Sequence, residues 1–237
     1  MAEGQAEVGG KAVVVEEAEG GDSKPATPIE HEAFRAARRV RAAPVPLPPP
    51  LTLVYTSSYD RGLEHMLKYG WPLIHSAFPS ATLHLYYGWR THELLHPKSE
   101  WRESMKDMIK SFGDSIVDHG RVGQEELLKA KARAQILYYV GDWPEIDCIA
   151  VREAAMLGCV PLTSSVAVFG DEEKDYVVKV EGDPTEAATQ VEGAKVAMRL
   201  LAEYVKSGRI RSVEVRTERL MEETWKRVAE RWLEVID

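Results

Sequence analysis

Cysteine is scarce in this sequence, which has only Cys148 and Cys159 among its 237 residues. Two thiols cannot build a disulfide framework, and no cluster of His and Cys at zinc-ligand spacing accompanies them. We therefore interpret both cysteines as small buried hydrophobic residues.

Long apolar runs and an excess of positive charge are also missing. No run of about eighteen apolar residues is present to span a bilayer, and the N-terminal residues lack the basic and apolar regions of a secretory signal peptide. We expect a cytoplasmic protein without a transmembrane segment. The 30 Lys and Arg residues are outnumbered by 38 Asp and Glu, giving a net charge of −8. This balance argues against a nucleic-acid partner, because phosphate contacts need a basic face.

The N-terminal fifty residues differ in composition from the rest of the chain. Residues 1–32 carry eight acidic residues against two lysines, a net charge of −6. So polar and glycine-rich a segment cannot bury enough apolar surface to offset its loss of conformational entropy. A short basic segment, AFRAARRVRAA, and the proline-rich PVPLPPP follow it. We predict a disordered acidic tail and linker over residues 1–50 and a folded domain over residues 51–237.

From residue 51 onward, short apolar runs alternate with amphipathic stretches, which is the pattern of a parallel α/β sheet. Six runs are predicted to be strands: LTLVYT, ATLHLYY, SIVDH, QILYYV, CVPLT and YVVKV. Helices are predicted over residues 62–78 with a kink at Pro72, 124–134, 184–206 beginning at Pro184, and 216–236. The sequence therefore predicts a Rossmann-like, doubly wound parallel sheet, in which ligands bind beyond the carboxyl ends of the strands.

The turn after the first predicted strand reads TSSYDRGLEHML. Ser57 and Ser58 offer hydrogen bonds, Arg61 offers a forked cation, and Gly62 lets the backbone come close to a ligand. Because these residues directly precede a helix, the turn favours a diphosphate group. An ordinary surface arginine is the alternative for Arg61.

Later strand ends contribute further polar residues. Gly88 and Trp89 follow the second strand, HGRVGQEE follows the third, and GDWPEIDCIAVRE follows the fourth. The last segment places Glu145 and Glu153 on either side of seven residues. A spacing of this kind is common by chance, and two solvated charges at a helix end are an alternative to a functional pair.

Taken in order, YTSSYDRGLEHML, ATLHLYYGW and DHGRVGQEELLKAKARAQILYYVGDWPEIDCIAVREAAMLGCVPLTSS resemble the C-terminal, donor-binding half of retaining, group 1 glycosyltransferases with the GT-B fold. The resemblance covers residues 51–165. The hallmark of that family is a Glu, seven residues and a second Glu, followed by a helix of small residues and G-x-P-V. Glu145, Glu153 and AAMLGCVPL reproduce this order.

The resemblance implies a nucleoside diphosphate sugar as donor substrate, with no metal and no cofactor. Within that family pattern, Glu145 would orient the transferred sugar and Arg61 would neutralise charge on the departing diphosphate, so these two are the expected catalytic residues. Glu153 would hold the ribose hydroxyls. The implied donor-binding residues are Ser58, Arg61, Gly62, Gly120, Arg121, Val122, Cys148, Ile149 and Glu153.

Departures from the family pattern lie in the site and in the chain length. Arg61 stands alone in a turn where the family usually has two basic residues. Asp147 occupies a position that is usually apolar, and we expect its side chain to cap the helix that begins near Cys148. A complete enzyme of this type has a second, acceptor-binding domain, which residues 1–50 are too short to form.

Two function classes follow from these departures. The first is the donor-binding part of a retaining hexosyltransferase, which needs an acceptor-binding domain or partner chain. The second is a non-catalytic module that keeps the fold and binds a nucleotide sugar or a protein.

Among the remaining polar and aromatic residues, we interpret His119 as structural and the tyrosine pairs of the second and fourth strands as sheet packing, namely Tyr86, Tyr87, Tyr138 and Tyr139.

Overall fold

The computed structural model describes residues 50–172, 174–211, 220, 229–230 and 233–234. The predicted acidic tail and linker lie outside the described residues except for Pro50. The predicted helix over residues 216–236 also lies outside them, apart from five positions.

The described residues form a six-stranded parallel sheet in the order β3-β2-β1-β4-β5-β6. The chain runs outward from β1 to β3, returns to the middle, and runs outward again from β4. The order therefore reverses between β1 and β4, which is where doubly wound sheets bind their ligands. The strands are β1 (Thr52–Tyr55), β2 (Thr82–Leu85), β3 (Ile116–Asp118), β4 (Ile136–Tyr139), β5 (Val160–Ser164) and β6 (Val178–Val180).

All six predicted strands are confirmed, and so is the doubly wound α/β architecture. Every residue of β4 and β5 is buried, because helices cover both faces of the sheet. Gln135 joins β1 to β4 at the start of both strands. Its side-chain oxygen accepts from the backbone amide of Thr52 at 2.7 Å, and its backbone amide donates to the Thr52 carbonyl at 2.9 Å. The cysteines Cys148 and Cys159 are both buried, as expected.

Seven α-helices connect and cover the strands of the described sheet. They are α1 (Leu63–His65), α2 (Trp71–Ala77), α3 (Arg90–Leu95), α4 (Glu100–Ser111), α5 (Gln124–Arg133), α6 (Ile149–Met156) and α7 (Ala187–Ser207). The sequence patterns did not predict α3 and α4. Within the described residues, no helix combines the length and the apolar character needed to cross a membrane.

Two predicted helix boundaries differ from the structure. Helix α7 begins at Ala187, not at Pro184, because Asp183 and Thr185 form a side-chain turn ahead of it. The predicted kink at Pro72 is instead a π-helical turn, Met66–Gly70, placed between α1 and α2. Proline has no amide hydrogen and crowds the preceding turn, and the wider π turn accommodates both effects.

Two buried tyrosines on the central strands differ in one hydrogen bond. Tyr55 on β1 donates its hydroxyl to the Ser58 carbonyl at 2.7 Å. The hydroxyl of Tyr138 on β4 has no hydrogen-bond partner among the described residues. Burial raises the pKa of both hydroxyls, so both stay neutral.

The same substitution at these two positions should therefore change stability in opposite directions. Tyr138→Phe removes an unpaired buried hydroxyl and should raise the free energy of unfolding by about 1 kcal/mol. Tyr55→Phe leaves the Ser58 carbonyl without this donor and should lower it by about 1 kcal/mol. Urea unfolding measures both values. A similar decrease in the free energy of unfolding in both variants would contradict the difference in hydrogen bonding between Tyr55 and Tyr138.

Candidate functional site

An ion pair joins the loops that follow the two central strands. Arg61, in the loop after β1, places Nη1 2.9 Å from Oε1 of Glu145, in the loop after β4. The two residues are 84 positions apart in the sequence. The side chain of Arg61 is 30% exposed and that of Glu145 10% exposed, so the pair is partly open to solvent. The structure thus places the two residues predicted to be catalytic together, at the point where strand order reverses.

Tyr139, the last residue of β4, also belongs to this cluster. Its hydroxyl donates to Oε1 of Glu145 at 2.8 Å. Burial raises the pKa of Tyr139, and the charge of Glu145 adds to that effect, so the hydroxyl remains a donor. The sheet-packing interpretation of Tyr139 was therefore incomplete. Its position at the carboxyl end of a central strand is the sequence feature that indicates a place in the site.

Trp143 forms the outer wall of the cluster. The guanidinium carbon of Arg61 lies 4.7 Å from the centroid of the Trp143 ring, which is close enough for a cation–π interaction. Partial burial disfavours the charge of Arg61, but Glu145 and Tyr139 outweigh it and raise the pKa of Arg61. Arg61 is thus a permanent cation whose plane is fixed by a carboxylate on one side and an indole on another.

Close backbone packing holds the two loops at this distance. Gly62 has a φ of 90°, and a Cβ there would lie 2.8 Å from the Cα of Gly141. The carbonyl of Gly141 in turn accepts from the Ser164 hydroxyl at 2.6 Å. Ser58 contributes through its backbone, since its carbonyl accepts from the amide of Arg61 at 3.1 Å. The loops after β1 and β4 and the carboxyl end of β5 therefore form one connected layer.

Glu153 lies in a separate cluster and does not pair with Arg61 in the structure. Its Oε2 is 2.6 Å from Nζ of Lys131, and its Oε1 accepts from Nε2 of Gln124 at 2.7 Å. Lys131 is fully buried. Lys131 is not among the site residues expected from the sequence, although its place on the buried face of α5, three residues after Leu128, marks it as unusual.

The turn after β3 leads directly to this second cluster. Gly120 has a φ of 64°, and its amide donates to Oδ1 of Asp118 at 2.9 Å. The hydroxyl of Tyr59, from the loop after β1, donates to the same oxygen at 2.6 Å. Arg121 is exposed and Val122 is half-buried beside the core. Asp118 therefore links the turn of residues 120–122, which is expected to bind the donor, to the loop that carries Arg61.

His119 faces the edge of the sheet. Its ring stacks on Tyr86 with 4.4 Å between centroids, and its Nε2 lies 2.8 Å from Nδ1 of His84. These contacts are those of a packing residue.

Helix α6 begins directly beside Glu145. Cys148 is its N-cap, and no side chain of the described residues caps the helix by a hydrogen bond. Burial raises the pKa of the Cys148 thiol to about 11. The prediction that Asp147 caps this helix is wrong, because its carboxylate turns outward to Arg152, with 3.1 Å between Oδ2 and Nη1. Ile149, the first helical residue, is largely exposed, so the amino end of α6 faces the open side of the site.

The sequence and the fold differ in their similarity to known proteins. No protein-family model matches the sequence, and no curated protein is significantly similar to it. Solved structures do match the fold. Sucrose-phosphate synthase from Thermosynechococcus elongatus has a TM-score of 0.59 and 17% identity over 85% of this chain and 48% of its own. The chain has the fold of one half of a GT-B glycosyltransferase.

Two further structures share this GT-B half fold. An α,α-trehalose-phosphate synthase from Burkholderia xenovorans has a TM-score of 0.54 and 13% identity over 80% of this chain and 44% of its own. The pneumococcal O-GlcNAc transferase GtfA has a TM-score of 0.55 and 16% identity over 79% of this chain and 35% of its own. The chain thus spans less than half the length of these three structures.

Replacement of Gly62 tests the close approach of the two central loops. Gly62→Ala combines a left-handed backbone with a contact against Gly141, and should lower the free energy of unfolding by about 3 kcal/mol. Gly113→Ala is the matched control, since Gly113 has a φ of 56° and open space where a Cβ would lie. Gly113→Ala should lower the free energy of unfolding by about 1 kcal/mol, from backbone strain alone. Equal losses in urea unfolding would show that the loops can separate freely.

Proposed function

We propose that this chain is the donor-binding part of a glycosyltransferase, that it binds a nucleoside diphosphate sugar, and that it transfers the sugar with retention when an acceptor-binding domain joins it. The observation that carries the proposal is the Arg61–Glu145 ion pair at the strand-order reversal between β1 and β4. The shared fold of sugar-transferring enzymes supports it.

Arg61 is suited to the diphosphate. A guanidinium has five N–H donors in a planar fork, and the hydrogen bond to Glu145 uses only Nη1. The remaining donors match phosphate oxygens, and the nearby amino end of α6 adds backbone amides of the same polarity. A fixed cation at this position stabilises the negative charge that develops on a departing nucleoside diphosphate. Cys148 and Ile149 would supply the helix amides.

Glu145 is suited to the sugar. Its side chain is held by Arg61 and Tyr139 through one oxygen, Oε1, so that Oε2 is available to hydroxyl groups of a bound sugar. At the other end of the donor, Glu153 would accept from the ribose. The turn formed by Gly120, Arg121 and Val122 would lie beside the base.

A second domain is required because this half-site is open. Transfer needs an acceptor hydroxyl held against the anomeric carbon, and such positioning contributes several kcal/mol to lowering a barrier. Three large apolar side chains, Trp143, Ile146 and Ile149, are 49%, 92% and 65% exposed around Glu145. We propose that this apolar rim receives the acceptor-binding domain and excludes water from the site.

The non-catalytic alternative is favoured by one observation. In the structure Arg61 is already paired with Glu145. The loop after β1 has no second basic residue that could bind the diphosphate together with Arg61. A module of this kind would bind the nucleotide sugar without breaking it. Donor hydrolysis distinguishes the two functions.

Binding by Arg61 is tested by calorimetry after a melting screen over UDP-, GDP- and ADP-glucose. Arg61→Ala should weaken the best nucleoside diphosphate roughly ten- to hundredfold, because a charge-assisted hydrogen bond to phosphate is lost, and the free nucleoside less than about twofold. Arg199→Ala is the control, since Arg199 is exposed on α7. If Arg61→Ala weakened binding of the nucleotide and of the nucleoside equally, Arg61 would not contact the phosphates.

The role of Glu145 is tested by catalysis. Glu145→Gln should leave the affinity for the nucleoside diphosphate nearly unchanged and slow release of free sugar from the donor roughly hundredfold, because a fixed charge beside the reacting carbon is lost. The unmodified chain alone should hydrolyse the donor slowly and transfer no sugar to an acceptor panel, measured by product mass. Multiple-turnover transfer by the monomer would contradict the need for a second domain.

A further inference from the structure

A buried cation lies directly against Glu153. The side chain of Lys131 has 0% exposure, and its ammonium nitrogen is 2.6 Å from Oε2 of Glu153. The other carboxylate oxygen accepts from the amide of Gln124 at 2.7 Å. Both donors come from α5, one from its first turn and one from its last. Each oxygen of Glu153 is therefore held by one residue of the same neighbouring helix.

Packing of α5 against α6 does not account for this ion pair. Leu128, Ala132 and Leu157 already form a buried apolar cluster between the two helices. Removing a lysine and a glutamate from water is costly, and apolar residues of similar volume would join two helices at least as well. The charge at position 131 is thus better explained by what it does to Glu153.

The location of the cluster points towards the donor site. Gln124 directly follows the turn of residues 120–122, with only Gly123 between them. Burial raises the pKa of the Cys148 thiol, and the charge of Lys131 opposes that rise, so the ammonium acts on the amino end of α6 as well. The side chain of Glu153 keeps 16% exposure and is not sealed by its two partners.

We propose that Lys131 and Gln124 are positioning residues, which hold the Glu153 carboxylate in one orientation so that it selects a ribonucleotide over a nucleotide that lacks the 2′ and 3′ hydroxyls. This inference rests on the proposed function. A carboxylate has about four acceptor sites, and two are used by the donors from α5. The remaining two, one on each oxygen, match the neighbouring 2′ and 3′ hydroxyls of a ribose.

The test compares two ligands by calorimetry: the nucleoside diphosphate that gives the largest melting shift, and its 2′,3′-dideoxy counterpart. The unmodified chain should prefer the first roughly ten- to hundredfold, the value of hydrogen bonds to a charged group. Lys131→Met should reduce this preference to below about threefold while leaving affinity for the dideoxy ligand unchanged. Lys129→Met is the control, because Lys129 pairs with Glu125 on the exposed face of the same helix and should leave the preference intact.

Two further variants separate positioning from folding. Lys131→Arg keeps a cation and should recover part of the preference. Gln124→Ala changes an exposed side chain, so it should keep the melting temperature and still lower the preference several-fold; it decides the matter if Lys131→Met does not fold.

Four results would overturn the inference. An unchanged preference in the folded variants, or equal weakening of both ligands, would give Lys131 and Gln124 a structural role only. Equal binding of both ligands by the unmodified chain would show that Glu153 does not bind the ribose hydroxyls, while nucleotide binding would remain established. A chain that binds neither ligand would overturn the proposed function together with this inference.

Discussion

The ion pair between Arg61 and Glu145 depends on the parallel pairing of β1 with β4. These strands are adjacent only because the chain returns to the middle of the sheet after β3. The return brings the two following loops to the same edge, and Gly62 allows their backbones to touch. A cation and a carboxylate then lie 2.9 Å apart and remain partly open to solvent. The proposed chemistry needs that distance, because electrostatic stabilisation weakens quickly once water separates charges.

The fold gives each of the two glutamates selected from the sequence its own cation. Glu145 is held by Arg61, which is partly exposed, whereas Glu153 is held by Lys131, which is fully buried. The difference in burial matches different roles. Under the proposed function, the partly exposed guanidinium of Arg61 can reach a phosphate with its remaining donors, while the buried ammonium of Lys131 reaches the ligand only through Glu153.

The chain corresponds in fold to only part of the structures it matches. The three matched structures are each more than twice as long as the segment that corresponds to this chain. Exposed apolar side chains are concentrated around Glu145, with Ile146 at 92% exposure. Large apolar groups at the rim of a polar crevice are typical of a surface that another domain covers.

The sequence by itself determined the six strands, the doubly wound order and the chemical character of the turns at their carboxyl ends, because apolar periodicity and strand-end chemistry are local patterns. It placed Arg61 and Glu145 at strand ends on that basis, and their expected catalytic roles came from the resemblance to GT-B glycosyltransferases. Only the tertiary structure decided which side chains meet. Lys131 and Glu153 are 22 residues apart, and their contact depends on how α5 and α6 rotate against each other. Asp147 failed as a predicted cap for the same reason, since Arg152 competes for its carboxylate once α6 has formed.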